Sequence, residues 1–455
     1  MSETIAAIAT GSTASAIGII RLSGDDAINI IDLLFTPQSG KKLSQYPDRL
    51  LVLGTLKNSR EEVLDHCLCT ISRAPNSYTG ENTAELQCHG SPTVLRLALE
   101  ALFQQGARQA RAGEFTKRAF LNGRMDLTQA EAVIDLIDSE TDEAAKNAAG
   151  QLGGAILRCT DKIYSDLVDI ISHYHAVLDY PDEDIEEFAM SAYSEALLQA
   201  RDTLCRLMQS FERGRIMKSG VKTAIVGRPN AGKSSLMNAL LGYERAIVTD
   251  IPGTTRDTIE ECITLGGVLL RLTDTAGLRG TEDPVEKIGV ERARRAANEA
   301  ELVLAVFDSS SPLCEEDIYA LEAAKLSRHA IAVINKSDLP QKLDTSEIEH
   351  SVKQLCYVSA LDKTGLEALD EAVKQAFPTP RLPAGEILTN SRHYDAVSRA
   401  NASIEAAIAA MHCGATPDIV LTEAENALNA IGELTGKTAT EDITHRIFDR
   451  FCVGK

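Results

Sequence analysis

Tryptophan is absent from this 455-residue chain, and aromatic residues make up only 4% of it. The 10 cysteines include no C-x-x-C pair, which argues against a disulfide framework and favours reduced thiols. No apolar run approaches the roughly 18–20 residues of a membrane-spanning helix. Residues 1–20 lack the basic start of a secretory signal. We therefore expect a cytoplasmic protein that does not enter a membrane.

The charge balance is strongly acidic, with a formal net charge of −20. Such a charge keeps a protein soluble and weakens non-specific attraction to nucleic acids and anionic membranes. If RNA is a substrate, a local patch or a partner protein must supply the basic surface. At about 150 residues per domain, the length predicts about three domains.

The hydrophobic pattern changes several times along the chain. Residues 1–121 mix strands, predicted at 16–22, 50–56 and 66–71, with a helix at 93–103. Residues 122–215 show long helical periodicity, and residues 380–455 are predicted helical again, with breaks at Gly432 and Gly436. Between them, residues 216–379 alternate apolar strands with helices, and the strands are predicted at 221–226, 268–273, 302–307, 331–334 and 356–358.

This order predicts an α/β multidomain protein. An N-terminal α+β domain covers residues 1–121, and a helical domain is formed from two segments, 122–215 and 380–455. The alternating block at 216–379 predicts an inserted domain with a doubly wound, mostly parallel sheet.

A phosphate-binding motif opens the inserted domain. The residues from Gly227 to Ser234 match G-x-x-x-x-G-K-[ST] between a predicted strand and a predicted helix. Backbone amides of the loop and the helix N-terminus attract phosphate oxygens. Lys233 should reach the β- and γ-phosphates, and Ser234 should bind Mg²⁺. The predicted nucleotide contacts here are Asn230, Ala231, Gly232, Lys233, Ser234 and Ser235.

Three further motifs follow in the order typical of Ras-like GTPases. They are Asp274-Thr275-Ala276-Gly277, Asn335-Lys336-Ser337-Asp338 and Ser359-Ala360. The Asp338 carboxylate can accept two hydrogen bonds from guanine, each worth about 1.5–3 kcal/mol, which adenine does not offer. Ser359 and Ala360 suit a contact with guanine O6. Thr255 lies between the first two motifs and is expected to close on Mg²⁺. The motif series predicts a GTPase.

One position departs from the Ras pattern. Leu278 stands where a glutamine would orient the attacking water, and its side chain cannot form a hydrogen bond. Either hydrolysis is slow or another group replaces the glutamine. The nearby acids Glu282, Asp283 and Glu286 are candidates for this role, although the residues alone favour reading each of them as a solvated charge at the start of a helix.

Long motifs outside the GTPase block carry a family resemblance. They include residues 75–81 (PNSYTGE), 85–90 (ELQCHG), 113–123 (GEFTKRAFLNG), 126–132 (DLTQAEA) and the terminal FCVGK. With these motifs the chain resembles the MnmE (TrmE) family of bacterial tRNA-modification GTPases over its whole length. The resemblance implies an N-terminal domain that forms a homodimer and binds 5,10-methylene- or 5-formyl-tetrahydrofolate. The matching folate contacts are Arg21, Glu85, Arg124 and Lys455.

The resemblance also supplies a replacement for the missing glutamine. It implies that the GTPase domains dimerise around K⁺ ions, each bound by Asn230, Thr249, Ile251 and Thr254, with Thr249 and Thr254 also at the nucleotide. Glu286 matches the acid that orients water, so the implied catalytic residues are Glu286, Lys233 and Thr255. An FAD-dependent partner, MnmG (GidA), would join it in a heterotetramer-type complex. Together they would add an aminomethyl or carboxymethylaminomethyl group to C5 of wobble uridine in tRNA.

Two other functional classes compete with this interpretation. A regulatory GTPase switch or ribosome-assembly factor would use the nucleotide only to control binding, and the additional N-terminal domain argues against it. A stand-alone aminomethyltransferase is disfavoured by the complete GTPase motif series. Cys67 and Cys69 alternate on one predicted strand and are expected to be buried thiols rather than metal ligands.

Overall fold

The computed structural model describes residues 3–179, 189–243, 261–272, 298–378, 382–438, 444, 447–449 and 451–454. The chain divides into two compact units. One contains Met1–Ile134, Leu152–Leu197 and Ala402–Lys455, and the other contains Asp135–Gln151 and Leu198–Asn401. Within the described ranges, no helix combines the length and the apolar character needed to cross a membrane.

The described N-terminal residues form a seven-stranded sheet in the order β3-β4-β5-β6-β2-β1-β7. All neighbouring strands are antiparallel except β1 and β7. The strands predicted at 16–22 and 66–71 are confirmed within β2 and β5, and the strand predicted at 50–56 begins later, at Val52, as β4. Strands β1, β3, β6 and β7 were not predicted. The strands are β1 (Ile5–Ile8), β2 (Ser15–Ser23), β3 (Phe35–Pro37), β4 (Val52–Lys57), β5 (Val63–Ser72), β6 (Thr83–Gly90) and β7 (Arg108–Gln109).

Two helices cover one face of this sheet. They are α1 (Ala27–Leu34) and α2 (Pro92–Gln104), and α2 contains the helix predicted at 93–103. Alternate strand residues such as Ile20 and Leu86 are buried beneath them. The intervening residues point to the opposite face, where Ile17 and Leu53 are 57% and 46% exposed. A third helix, α3 (Glu114–Leu121), follows the last strand.

Long helices follow, as the periodicity predicts. They are α4 (Leu127–Ile137), α5 (Asp142–Leu152), α6 (Ala155–Asp179) and α7 (Ala189–Ser219). The buried side chains Ile163, Leu167 and Ile170 recur at helical spacing along α6.

The inserted block forms a six-stranded sheet in the order β13-β12-β11-β8-β10-β9. Its pairs are parallel except β9 with β10, so the predicted doubly wound fold is confirmed. Its strands are β8 (Val221–Val226), β9 (Glu261–Leu265), β10 (Val268–Leu272), β11 (Leu302–Asp308), β12 (His329–Asn335) and β13 (Gln354–Tyr357). Its described helices are α8 (Lys233–Tyr243), α9 (Glu315–Leu326), α10 (Ser346–Ser351) and α11 (Leu366–Ala376).

Two details of this sheet differ from the prediction. Strand β9 was missed, and it pairs with β10 through a tight turn in which Gly266 and Gly267 have φ values of 59° and 76°. A hairpin turn with two consecutive positive φ values favours glycine, which adopts such values without steric strain. The strand predicted at 356–358 lies earlier, at Gln354–Tyr357, although the Val358 amide still donates to the Ile334 carbonyl at 2.9 Å.

The second flank folds into α12 (Ser391–His412) and α13 (Pro417–Thr435). Gly436 ends α13 with a φ of 91°, as predicted. The break predicted at Gly432 is wrong, because Gly432 is buried inside α13. A Cβ atom on Gly432 would lie 2.6 Å from the Thr438 hydroxyl oxygen, so close packing accounts for this glycine. The spacing of Thr438 and Glu441 also predicts a capping box for a following helix, and Glu441 lies outside the described residues.

The chain returning from the inserted domain crosses the first flank closely. The side-chain amides of Asn147 and Gln151 donate to the Ile387 carbonyl at 3.1 and 2.7 Å. On α7, a Cβ atom at Gly214 would lie only 2.0 Å from the Leu388 carbonyl oxygen. These contacts join the two helical segments next to the insertion, in agreement with the predicted helical domain formed from two chain segments.

Replacing Gly214 should therefore destabilise the protein. We expect Gly214→Ala to lower the free energy of unfolding by about 1–3 kcal/mol, because the new methyl group displaces the Leu388 backbone. Urea unfolding followed by circular dichroism measures the change. The matched control is Gly242→Ala in α8, where a Cβ meets only the Lys363 ammonium at 3.4 Å. That change should be neutral or stabilise by up to about 1 kcal/mol, and equal effects at both sites would contradict the packing argument.

Candidate nucleotide site and N-terminal pocket

The phosphate-binding motif forms a loop between β8 and α8. Gly232 has a φ of 93°, and a Cβ atom there would lie 2.1 Å from the Asn335 side-chain nitrogen. Only glycine therefore satisfies both the backbone conformation and the close approach. Asn230 also has a positive φ, 59°, and it is exposed in the loop.

Lys233 begins α8 and points back over the loop. Its ammonium donates to the carbonyls of Gly227 and Arg228, both at 2.9 Å. Burial lowers the pKa of Lys233 below its ordinary value, because removal of water disfavours the charged form. Phosphate oxygens at this position would offset that cost and favour the protonated form. The helix N-terminus contributes positive potential to the same place.

Asn335, the first residue of N-K-x-D, is 2% exposed at the end of β12. Its side-chain amide donates to the Ala231 carbonyl at 3.0 Å, and its side-chain oxygen accepts from the Ala360 amide at 3.1 Å. One side chain therefore connects the phosphate loop with the Ser359-Ala360 motif. The structure brings together three of the four predicted motifs through this contact.

Asp338 is exposed, as its predicted contact with a base requires. Its carboxylate accepts a hydrogen bond from the buried Ser359 hydroxyl at 2.7 Å. Ser359 thus orients Asp338, a contact that the sequence analysis did not anticipate. Between Asn335 and Asp338, Lys336 adopts a φ of 61°.

Ser234 and Ser235 lie exposed in the first turn of α8, where a hydroxyl can reach an ion beside the phosphates. Hydroxyl and carbonyl oxygens are suitable ligands for Mg²⁺. The remaining predicted contacts with nucleotide, Mg²⁺, K⁺ and water lie outside the described residues. They are Thr249, Ile251, Thr254, Thr255, Asp274, Thr275, Ala276, Gly277 and Glu286.

Two charged residues beside this site were not predicted from the sequence. Asp308 ends β11 and accepts a hydrogen bond from the Lys336 ammonium at 2.6 Å. Arg228, inside the phosphate loop, contacts Asp317 at 3.5 Å. The sequence does contain a signal for Asp308, because it is a carboxylate at the end of an otherwise apolar strand of a parallel sheet, where ligand-binding residues commonly lie.

A second pocket, of about 270 Å³, lies in the N-terminal sheet and contains both Arg21 and Glu85. The Arg21 guanidinium donates to the Glu85 carboxylate at 2.8 Å. It also lies 5.7 Å from the ring centre of Tyr78 and 5.9 Å from that of Phe115. The pocket therefore offers a paired charge beside an aromatic surface, which suits a flat, polar ligand.

The other two predicted folate contacts are less well defined by the structure. Arg124 is exposed, and its side chain packs beside Gly80, 3.4 Å from where a Cβ atom would stand. Lys455 lies outside the described residues. Its neighbour Gly454 approaches β1, since a Cβ there would lie 2.4 Å from the Ile8 carbonyl oxygen. The end of the chain is therefore held beside the N-terminal sheet.

The cysteines of this sheet lie in its core, as expected. Cys67, Cys69 and Cys88 are all buried. A hydrogen bond with Cys88 and then burial raise the pKa of Cys67, and burial raises the pKa of Cys69, so both thiols stay protonated. Among the described residues, one group has metal-type ligand atoms within 4.8 Å of one another, namely Asp65, Cys67 and Cys88. Both Asp65 oxygens already accept hydrogen bonds from His89.

Comparison with known proteins covers the whole chain. The family model of the MnmE helical domain matches residues 127–452, and that of the GTP-binding protein TrmE N-terminus matches residues 4–124. A relative from Thermoanaerobacter pseudethanolicus, named tRNA modification GTPase MnmE, is 43% identical over 458 residues, or 100% of this chain and 99% of its own. A relative of the same name from Clostridioides difficile is 41% identical over 457 residues, with the same coverage.

A solved structure is similar to part of the chain. The G domain of the T. maritima FeoB iron transporter is 29% identical, with a TM-score of 0.26, and the match covers 34% of this chain and 98% of that domain.

The Asn335 contacts lead to a direct prediction. Asn335→Ala leaves the Ala231 carbonyl and the Ala360 amide without this partner, so we expect affinity for GDP to fall about tenfold or more. Fluorescent-GDP titration measures it. Asn58→Ala is the control, because Asn58 also accepts backbone hydrogen bonds, from Arg60 and Glu62, in a turn of the N-terminal sheet. Unchanged GDP affinity in Asn335→Ala would show that the connection is dispensable.

Proposed function

The chain belongs to the MnmE family of tRNA modification GTPases, and on this basis we propose that its GTP hydrolysis serves the modification of C5 of wobble uridine in tRNA. The added group is an aminomethyl or carboxymethylaminomethyl group. The observation that carries the GTPase part is the buried Asn335 amide, which joins the phosphate loop to the base-reading motifs. We propose that the chain consists of an N-terminal domain at 1–121, a helical domain at 122–215 and 380–455, and a G domain at 216–379.

Phosphate and base are recognised at opposite ends of the nucleotide site. Lys233 and the start of α8 neutralise the phosphates, and Ser234 with Thr255 holds Mg²⁺. Asp338, oriented by Ser359, accepts hydrogen bonds from guanine. Asp274–Gly277 would contact Mg²⁺ and the γ-phosphate. The lowered pKa of Lys233 and the glycine-only contact at Gly232 support this assignment.

In this proposal a K⁺ ion held by Asn230 would supply the positive charge that an arginine finger supplies in other GTPases. Asn230 offers an exposed side-chain amide at the loop tip, and Thr249, Ile251 and Thr254 complete the ligand set. A fixed cation next to the transferred phosphoryl group stabilises the charge that develops in the transition state. Glu286 orients the attacking water, and Thr255 closes the site when GTP is bound. Dimerisation of G domains brings these groups together.

The potassium proposal is tested by comparing salts. We expect GTP hydrolysis to be about tenfold or more faster in KCl than in NaCl of equal ionic strength. Asn230→Gly should remove most of this difference. Glycine accepts the φ of 59° at this position, so the variant loses the amide without backbone strain. Lys233→Ala should abolish hydrolysis in either salt.

Two results would contradict the potassium site. Equal wild-type rates in both salts would exclude stimulation by K⁺. A KCl advantage that survives in Asn230→Gly would remove Asn230 from the ligand set.

The N-terminal pocket is proposed to bind a tetrahydrofolate that carries the one-carbon unit. Arg21 and Glu85 lie in the pocket, Arg124 packs beside Gly80, and the chain end is held next to β1. A 5,10-methylene- or 5-formyl-tetrahydrofolate has a flat pyrimidine ring within its reduced pteridine for Tyr78 and polar ring atoms for Glu85. Lys455 and Arg124 would balance its carboxylates. The opposite face of the sheet from α1 and α2 holds this pocket.

The exposed part of that face supports a homodimer through the N-terminal domain. Ile17, Leu51 and Leu53 are 57%, 49% and 46% exposed on or beside it. A cluster of exposed apolar side chains on a sheet favours protein contact. We further propose an FAD-dependent MnmG-type partner in a heterotetramer-type complex in the cytoplasm. With a net charge of −20 here, that partner would supply most of the basic surface for tRNA.

Folate binding gives a matched pair of variants. Glu85→Gln breaks the charge of the Arg21 pair, and we expect affinity for 5-formyl-tetrahydrofolate to fall about tenfold or more, measured by calorimetry. Glu100→Gln is the control, since it removes the same charge from an exposed pair with Arg96 on α2. The control should bind folate like the wild type. If Glu85→Gln also binds normally, the assigned pocket is wrong.

A further inference from the structure

Asp308 occupies the carboxyl end of the central strand β11. Its side chain is only 10% exposed, yet it carries a charge. One carboxylate oxygen accepts from the amide and hydroxyl of Ser310, at 2.9 and 2.6 Å. The other accepts from the Lys336 ammonium at 2.6 Å and lies 3.8 Å from the Arg228 guanidinium. One carboxylate therefore holds a lysine of the base-reading motif next to an arginine of the phosphate loop.

Arg228 is held from several sides. Its guanidinium donates to the Cys314 sulfur at 3.2 Å and to the Ser311 hydroxyl, and it lies 3.5 Å from Asp317. These partners belong to β11's following loop and to the start of α9, not to the phosphates. Arg228 therefore fixes the loop backbone between Gly227 and Asn230 rather than serving as a free cation.

Burial of Asp308 alone would favour its neutral form. The Lys336 and Ser310 hydrogen bonds overcome that cost and hold the pKa of Asp308 below its ordinary value, so the carboxylate is charged at neutral pH. Lys336 adopts a φ of 61°, which is uncommon for a lysine and needs support from its surroundings. The ion pair with Asp308 supplies that support.

We infer that Asp308 is a positioning residue for guanine-nucleotide binding, which fixes Lys336 and Arg228 against the same strand end. This inference rests on the proposed nucleotide site. Asp308 touches neither base nor phosphate in this role. It sets the direction of the Lys336 stem beside the base pocket and the shape of the phosphate loop. Loss of its charge weakens nucleotide binding without changing which base is read, because Asp338 does the reading.

A matched control exists in the same domain. The exposed Asp344 accepts the same local hydrogen bonds, from the amide and hydroxyl of Ser346 at 3.0 and 2.6 Å. Among the described residues, it differs from Asp308 in making no ion pair with Lys336 or Arg228. We expect Asp308→Asn to weaken fluorescent-GDP binding about tenfold or more, and Asp344→Asn to bind like the wild type. Equal affinity of Asp308→Asn and wild type overturns the inference.

A double variant distinguishes a positioning role of Asp308 from a general loss of protein stability. If Asp308 acts through Lys336, the double variant with Lys336→Met should bind GDP within about twofold of the weaker single variant. Fully additive losses overturn the inference. The GTP preference over xanthosine triphosphate should survive in Asp308→Asn and be lost in Asp338→Asn. A preference lost in Asp308→Asn would assign that residue to base reading instead and so also counts against positioning.

A second pair of variants and the wild-type protein serve as further controls. If Asp308→Asn does not fold, a cycle of Arg228→Met and Lys336→Met replaces it, since these two residues are joined only through Asp308 among the contacts above. Non-additive GDP affinities support the inference, and additive ones overturn it. Failure of the wild type itself to bind GDP or GTP would reject the nucleotide site, and the inference with it.

Discussion

A single buried amide organises the nucleotide end of the G domain. Asn335 donates to the Ala231 carbonyl and accepts from the Ala360 amide, so the phosphate loop and the two segments proposed to read the base share one fixed point. The contact requires Gly232, because any side chain there would occupy the position of the Asn335 amide. The glycine in the loop and the asparagine at the strand end therefore depend on each other, although they lie 103 positions apart in the sequence.

Charge is arranged around this point in two different ways. Asp338 is exposed and oriented by a neutral hydroxyl, so its carboxylate stays available for a ligand. Asp308 is buried and already occupied by cations, so it supports structure instead. In the proposed site, burial and existing partners thus decide which of two acids at neighbouring strand ends is available to a base. A sequence shows both acids but not this difference.

Much of the architecture was predictable because its signals are local. Apolar strands that alternate with helices predict a parallel sheet, and polar motifs at strand ends predict where the site lies. The features that were missed depend on distant partners. The roles of Asp308 and Arg228 depend on their contacts with each other and with Lys336. Gly432 does not break its helix, and it is a glycine because Thr438 packs closely against it. The pairing of Arg21 with Glu85 follows from the register of β2 and β6, which sequence pattern alone leaves open.

The crossing at Gly214 has a consequence for how such a protein can arise. Because the Leu388 backbone passes directly over α7 at this glycine, the outgoing and returning chains of the G domain run side by side. A domain whose two ends are adjacent can be gained, lost or exchanged without rearranging its host. The G domain is therefore arranged as a removable insertion. Without it, a short loop would be enough to join α7 to the segment before α12.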